Sequence, residues 1–94
     1  MDLNLSGKTA IVCGSTQGIG FASALELSKM GANVVLVARN AERLQNALEN
    51  LENDGSQNHK TVQADFSDPD GLKASIESFM AQNGPAHILI NNTG

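Results

Sequence analysis

The chain has 94 residues, 40% of them hydrophobic, and a formal net charge of −4, which suits one globular domain. The negative charge and the 3% aromatic content, with neither Trp nor Tyr, argue against nucleic acid and acidic membrane surfaces as partners. No apolar run is long enough to span a bilayer. The single cysteine, Cys13, cannot form an internal disulfide and indicates a reducing, cytoplasmic setting.

Four short segments predict β-strands, and amphipathic helices are expected between them. The strands are expected at Thr9–Cys13, Asn33–Ala38, Lys60–Ala64 and His87–Asn91. The first two are continuously apolar, which is typical of strands covered by helices on both faces. The alternation of strands and helices along the chain predicts parallel strand pairing with right-handed crossovers and the strand order 3-2-1-4. The expected fold class is therefore α/β, as one half of a doubly wound, Rossmann-type sheet that binds ligands at the carboxyl ends of its strands.

Each helix has a predicted apolar face and predicted ends. The apolar faces comprise Phe21, Ala22 and Leu25 in the first helix, Ala41, Leu44, Leu48 and Leu51 in the second, and Leu72, Ile76, Phe79 and Met80 in the third. Pro69 marks the start of the third helix, after Ser67 or Asp68 as its N-cap. The glycines expected to end the three helices are Gly31, Gly55 and Gly84.

The turn between the first strand and the first helix is rich in glycine and reads Gly14-Ser15-Thr16-Gln17-Gly18-Ile19-Gly20. In this position such a turn typically binds phosphate groups. Gly14 permits a tight turn, Gly18 lets a pyrophosphate approach the backbone, and Gly20 lets the helix pack close to the sheet. The two hydroxyl groups after Gly14 offer further donors. A glycine-rich turn without a ligand is the alternative interpretation.

The second strand ends in Val37-Ala38-Arg39-Asn40, without a carboxylate. Folds that bind NAD commonly have an acidic residue here, whereas an arginine suits the 2′-phosphate of NADP. Arg39 therefore predicts a preference for NADP(H), with NAD(H) possible. The alternative is that Arg39 is only a solvated surface cation.

Two more motifs, Asp65-Phe66-Ser67 and Asn91-Asn92-Thr93-Gly94, follow the third and fourth strands. With the Gly-x-x-x-Gly-x-Gly turn, they resemble the short-chain dehydrogenase/reductase family over essentially the whole chain, most of all its 3-oxoacyl-carrier-protein reductases. The family usually has Ala where this chain has Thr93. The resemblance implies that residues 1–94 are the N-terminal, cofactor-binding half of a Rossmann domain and that the catalytic half is absent.

The resemblance also implies roles for individual residues. Asp65 would accept a hydrogen bond from the adenine amino group, and the backbone N–H of Phe66 would meet a ring nitrogen. Asn92 and Gly94 would lie along the cofactor ribose, while Asn91 ties neighbouring strands together. The alternatives are a helix-cap role for Asp65 and a scaffolding role for the last four residues.

For the full-length protein, the resemblance implies hydride transfer between NADP(H) and a small carbonyl or alcohol substrate. In this family a Tyr-x-x-x-Lys pair, a Ser and an Asn perform the catalysis. The chain contains no Tyr, so no catalytic residue is assigned and the 94 residues alone are expected to be inactive. The alternatives are a non-catalytic dinucleotide-binding module or an inactive fragment that only self-associates.

The remaining features predict structure rather than chemistry. The fourth strand, 88–90, is expected to be an apolar outer strand that only the third helix covers, so the chain should form homo-oligomers or fold marginally. Cys13 is expected to be a buried spacer. His59 and His87 are widely separated in sequence and are expected to be solvated, and no metal site is predicted.

Overall fold

The computed structural model describes residues 4–14, 18–51, 53, 55 and 57–91. The elements alternate along the chain as β1 (Thr9–Cys13), α1 (Gly18–Lys29), β2 (Asn33–Ala38), α2 (Ala41–Glu49), β3 (Lys60–Gln63), α3 (Pro69–Asn83) and β4 (Ile88–Asn91). The four strands form one parallel sheet in the order β3-β2-β1-β4. This confirms the predicted fold class and strand order.

The two central strands are buried because their residues are apolar on both faces. β1 and β2 pair from Thr9↔Asn33 to Cys13↔Val37, and Leu36 on β2 has no exposed surface. β3 and β4 flank them, and their residues alternate between half-buried and exposed. This alternation is expected of outer strands with only one well-covered face.

The helices cover the two faces of the sheet unequally. On one face α1 buries Ala24 and Leu27 and α2 buries Leu44 and Ala47 against the strands, joined by Leu51 just beyond α2. On the other face α3 packs through Leu72, Ile76, Phe79 and Met80, but it buries no residue completely. A largely apolar groove of about 300 Å³ lies between α3 and β4, where Leu89 is 61% exposed. The predicted apolar surface beside β4 is therefore present, and self-association through it stays a prediction.

The predicted apolar faces of α1 and α2 are each wrong at one residue. Ala22 is exposed, and Ala24 and Leu27 are buried instead, because the 3.6-residue repeat turns Ala22 toward solvent. In α2, Ala41 is exposed at the first position while Ala47 is buried. The predicted faces of α3 pack against the sheet as expected.

The helix ends follow the predictions except after α2. Asp68 is the N-cap of α3, and its Oδ1 accepts a hydrogen bond from the Gly71 N–H at 3.1 Å. Gly55 lies beyond the end of α2, which Asn50 closes by donating from its side chain to the Asn46 carbonyl at 2.7 Å. The prediction for Gly55 was wrong because an asparagine already satisfies this helix end. None of the helices in the described ranges has the length and hydropathy needed to cross a membrane.

Candidate functional site

The carboxyl ends of the parallel strands meet at one end of the sheet, which we call the carboxyl end (Gly14, 18–20, 39–40, 63–66 and Asn91). The fold thereby brings together the described residues of all four predicted motifs. Open α/β sheets bind ligands at this end. The predicted site residues that lie outside the described ranges are Ser15, Thr16, Gln17, Asn92 and Gly94. Their roles stay predictions.

The two glycines of the turn that have positive φ values differ in what they do. Gly14 has a φ of 75°, and its N–H extends the sheet by donating to the Val37 carbonyl at 2.9 Å. Gly18 has a φ of 64°, and a Cβ built on it would meet no atom of the described residues within 4 Å. Glycine adopts this conformation without a steric penalty. The described residues thus leave room beside the Gly18 backbone, where a ligand can approach closely.

The N-terminus of α1 differs from those of the other two helices. α2 and α3 each have an acidic residue in the first turn, Glu42 and Asp70, whereas α1 has none. A helix N-terminus attracts anions through its unpaired N–H groups and partial positive charge. Ile19, in the first turn of α1, is 76% exposed, while Gly20 is buried. The first turn therefore has no side-chain charge that would repel an anion.

Arg39 follows β2 on a well-anchored backbone. Its carbonyl accepts a hydrogen bond from Gln63 Nε2 at 3.0 Å. The next residue, Asn40, is the N-cap of α2, and its Oδ1 accepts from the Arg43 N–H at 3.0 Å. Arg39 itself is exposed, and none of the ion pairs in the described part of the chain involves it. The guanidinium is thus available to an anionic ligand.

Asp65 lies near Arg39 at the same end of the sheet. Its Oδ1 accepts hydrogen bonds from the Ser67 hydroxyl at 2.7 Å and from the Ser67 N–H at 2.9 Å. These bonds, with a smaller contribution from the charge of Arg39, lower the pKa of the Asp65 carboxyl below its ordinary value. Asp65 is therefore an ionised acceptor at neutral pH. The N-cap of α3 is Asp68, and the Asp65 carbonyl accepts a hydrogen bond from the Asp68 N–H at 3.1 Å, so Asp65 also belongs to the turn that precedes this helix.

Two other predicted positions, Phe66 and Cys13, lie in the apolar cluster between the sheet and α3. Phe66 is partly buried in the apolar cluster beneath α3. Cys13 is 2% exposed, which confirms its predicted burial, and this burial raises the pKa of its thiol. A protonated, buried thiol is a poor nucleophile.

Both histidines were predicted to be solvated; His87 is exposed and His59 is half-buried, and each makes a hydrogen bond that was not predicted. His59 Nδ1 accepts a hydrogen bond from the Val34 N–H at 2.9 Å, and His87 Nδ1 accepts one from the Thr9 N–H at 3.1 Å. Both bonds lie at the opposite, amino end of the sheet. Each histidine directly precedes an outer strand, and this position was the signal available in the sequence. Gln63 was also missed, because nothing in the sequence shows that its side chain reaches a neighbouring carbonyl.

Known proteins resemble this chain in sequence and in fold. The family model for short chain dehydrogenases matches residues 8–94. An uncharacterised oxidoreductase of Schizosaccharomyces pombe is 37% identical over 92 residues, which is 97% of this chain and 27% of that protein. Gluconate 5-dehydrogenase of Gluconobacter oxydans is 40% identical over 91 residues, which is 97% of this chain and 35% of that protein.

A solved structure of a reductase resembles this chain in fold as well as in sequence. The crystal structure of L-sorbose reductase from Gluconobacter frateurii, complexed with NADPH and L-sorbose, matches with a TM-score of 0.87 and 41% sequence identity. The match covers 100% of this chain and 36% of that one. The chain therefore spans between 27% and 36% of the length of these three proteins.

Proposed function

Because this chain belongs to the short-chain dehydrogenase family, we propose that it is the nucleotide-binding part of a longer oxidoreductase. The complete protein would transfer a hydride between NADP(H) and a small carbonyl or alcohol substrate. The observation that carries this proposal is the pairing, at one end of the sheet, of an open backbone at Gly18 with an exposed Arg39 that has no ion-pair partner among the described residues. The likeness to a reductase complexed with NADPH supports the same cofactor.

The residues at the carboxyl end fit a dinucleotide in charge and in shape. The first turn of α1 would hold the pyrophosphate, since its N–H groups are donors and the backbone at Gly18 leaves room. The exposed Ile19 would cover one side of the cofactor. Ser15, Thr16 and Gln17, which precede Gly18 and lie outside the described ranges, would complete this cradle.

The adenosine part of the cofactor would lie between the ends of β2 and β3. Arg39 would pair with the 2′-phosphate, a charge-assisted contact that NAD(H) cannot make. Asp65, kept ionised by Ser67, would accept a hydrogen bond from the adenine amino group, and the Phe66 N–H would donate to a ring nitrogen. NAD(H) would bind more weakly because it lacks the 2′-phosphate and so loses the contact with Arg39, while the other contacts would remain.

When bound, the cofactor would supply the hydride chemistry. The residues described above would bind and orient the cofactor. The 94 residues contain no Tyr, so we propose that the catalytic acid of the complete protein comes from another part of it and that these residues alone are inactive.

We also propose a homo-oligomer in the cytoplasm. The apolar groove beside β4, with Leu89 61% exposed, supports association because soluble monomers rarely leave such a surface uncovered. A single, buried cysteine fits a reducing compartment.

The test of the cofactor assignment is the substitution Arg39→Asp in the full-length protein. The variant should bind NADPH about 10- to 150-fold more weakly, which corresponds to roughly 1.5–3 kcal/mol for a charge-assisted contact. Its affinity for NADH should stay the same or rise, since a carboxylate here can accept from the ribose hydroxyls. Both affinities are measurable from the change in NAD(P)H fluorescence on binding.

Lys29→Asp is the matched control, because it changes the net charge equally at the last residue of α1. Lys29 forms only an exposed pair with Glu26 at 3.8 Å, so this variant should retain both affinities. If Arg39→Asp still binds NADPH more tightly than NADH, Arg39 does not determine the cofactor preference.

A further inference from the structure

We propose that Gln63 is a positioning residue for cofactor preference, because its side chain fixes the peptide from which Arg39 extends. This inference rests on the function proposed above for Arg39. Gln63 does not touch the cofactor in this proposal. It would act through the backbone of the residue that does.

The register of β2 and β3 places Gln63 beside the end of β2. Gln63 is the last residue of β3 and lies opposite Ala38, the last residue of β2. The Ala64 N–H then donates to the Ala38 carbonyl at 2.9 Å. Beyond this bond β2 leads into α2 and β3 leads into the turn at Asp65, so the two chains diverge and the backbone ladder does not extend to residue 39.

The carbonyl of Arg39 accepts a hydrogen bond from the side chain of Gln63. It lies one residue beyond the ladder, where the side-chain amide of Gln63 donates to it at 3.0 Å. On the other side, the Asn40 carbonyl accepts the Leu44 N–H at 3.0 Å, within α2. The Arg39–Asn40 peptide is therefore bonded by Gln63, and the next peptide, Asn40–Ala41, is bonded within α2.

The carboxylate of Asp65 lies near Arg39. Asp65 is close enough for the charge of Arg39 to act on it, so it could compete with a phosphate for the guanidinium. Its Oδ1 is instead bonded twice by Ser67. Arg39 is exposed, and none of the ion pairs among the described residues involves it, so its guanidinium is available to a ligand. The Gln63 bond is exposed, so we expect a modest effect.

The test is Gln63→Met, which keeps the length of the side chain and removes the donor. Loss of one exposed hydrogen bond should weaken NADPH binding about three- to tenfold in the full-length protein. NADH binding should change less than about twofold, because NADH has no 2′-phosphate for Arg39 to contact. Hydrogen exchange of a peptide covering residues 39–43 should become faster without cofactor, which reports on the backbone directly.

Thr61→Val is the matched control, because Thr61 is exposed two residues earlier on β3 and side chains two residues apart on a strand share a face. This variant should bind both cofactors as the wild type does. A parallel fall in NADPH and NADH affinity for Gln63→Met would mean a merely structural role and would overturn the inference.

The variant Arg39→Ala separates failure of this inference from failure of the proposed function. If Arg39→Ala leaves the ratio of NADPH to NADH affinity unchanged, the function proposed for Arg39 is wrong. If Arg39→Ala lowers the ratio and Gln63→Met does not, only the role of Gln63 is wrong. The inference predicts that Gln63→Met has no further effect on the ratio in the Arg39→Ala background.

Discussion

The two ends of the sheet use their polar side chains differently. At the amino end, side chains bond to backbone groups far away in sequence: His59 to Val34, His87 to Thr9, and the buried Gln57 to the Ala32 carbonyl at 2.7 Å. At the carboxyl end most such bonds are local, as between Asp65 and Ser67 or Asn40 and Arg43. The bond from Gln63 to Arg39 is an exception.

This difference separates the residues that hold the fold from the residues available for binding. Long-range bonds at the amino end tie loops and outer strands to the centre of the sheet. At the carboxyl end the fold leaves Ile19 and Arg39 exposed and the backbone at Gly18 open. Substitutions at the amino end should therefore change the free energy of unfolding, and substitutions at the carboxyl end should change cofactor affinity.

The largest expected effect is that of Gly18→Val. A branched side chain would occupy the open space beside the backbone, where the pyrophosphate must approach. NADPH affinity should fall about 100-fold or more, equivalent to roughly 3 kcal/mol. The free energy of unfolding without cofactor should fall by only about 1–2 kcal/mol, from the φ of 64°. Fluorescence titration and denaturant unfolding measure the two quantities.

Gly31→Ala, at the amino end, is the reciprocal control for the Gly18 variant. Gly31 has a φ of 97°, and a Cβ there would lie 3.0 Å from Ser6 Oγ and 3.3 Å from Ser6 N. The strain should lower the free energy of unfolding by about 1–3 kcal/mol with little change in NADPH affinity. Tight NADPH binding by Gly18→Val, or weak NADPH binding by a folded Gly31→Ala, would contradict the prediction that cofactor affinity depends on the carboxyl end and not on the amino end.

An intermediate effect is expected of His59→Ala. The substitution removes the acceptor of the Val34 N–H, and Val34 has no exposed surface. An unsatisfied buried donor should lower the free energy of unfolding by about 1–3 kcal/mol. His87→Ala should lower it less, because the bond to Thr9 is exposed and water can replace the imidazole. Equal losses in urea unfolding would contradict this account, as would a changed NADPH affinity in either variant.

The smallest effect is a pH dependence at Asp65. Because the folded state lowers the pKa of this carboxyl, the contribution to stability is present above its ordinary range and is lost as the pH falls through the lowered pKa. Ser67→Ala removes the hydroxyl donor, the largest cause of the shift, and should raise the pKa toward its ordinary value. A ¹³C NMR titration of the carboxyl carbon measures this change. An unmoved pKa would show that the Ser67 hydroxyl does not hold Asp65.

The sequence alone predicted most of the fold because local patterns and topology agree. The runs at Thr9–Cys13 and Asn33–Ala38 are the observed β1 and β2, and parallel connections leave few possible strand orders. One error concerned which side chains of a helix are buried, since Ala22 is exposed. Another concerned the residue that ends α2, which is Asn50 and not Gly55.

The candidate site was predictable only in part. Its glycines and Arg39 stand directly after strands, so topology alone places them at one end of the sheet. The bond from Gln63 to Arg39 depends on where two strands diverge, and the partners of the histidines depend on contacts over 25 and 78 residues of sequence. Sequence patterns report which side chains are near a strand end. They do not report which atoms those side chains reach.

The most direct test is hydrogen exchange of the full-length protein, measured by mass spectrometry with and without saturating NADPH. Peptides covering residues 14–20 and 39–43 should exchange more slowly when the cofactor is bound, because their N–H groups lie at the carboxyl end. Peptides covering residues 57–59 and 84–88, at the amino end, should be unchanged. Protection confined to the amino end, or saturated binding with no protection at residues 14–20 and 39–43, would contradict the proposed site.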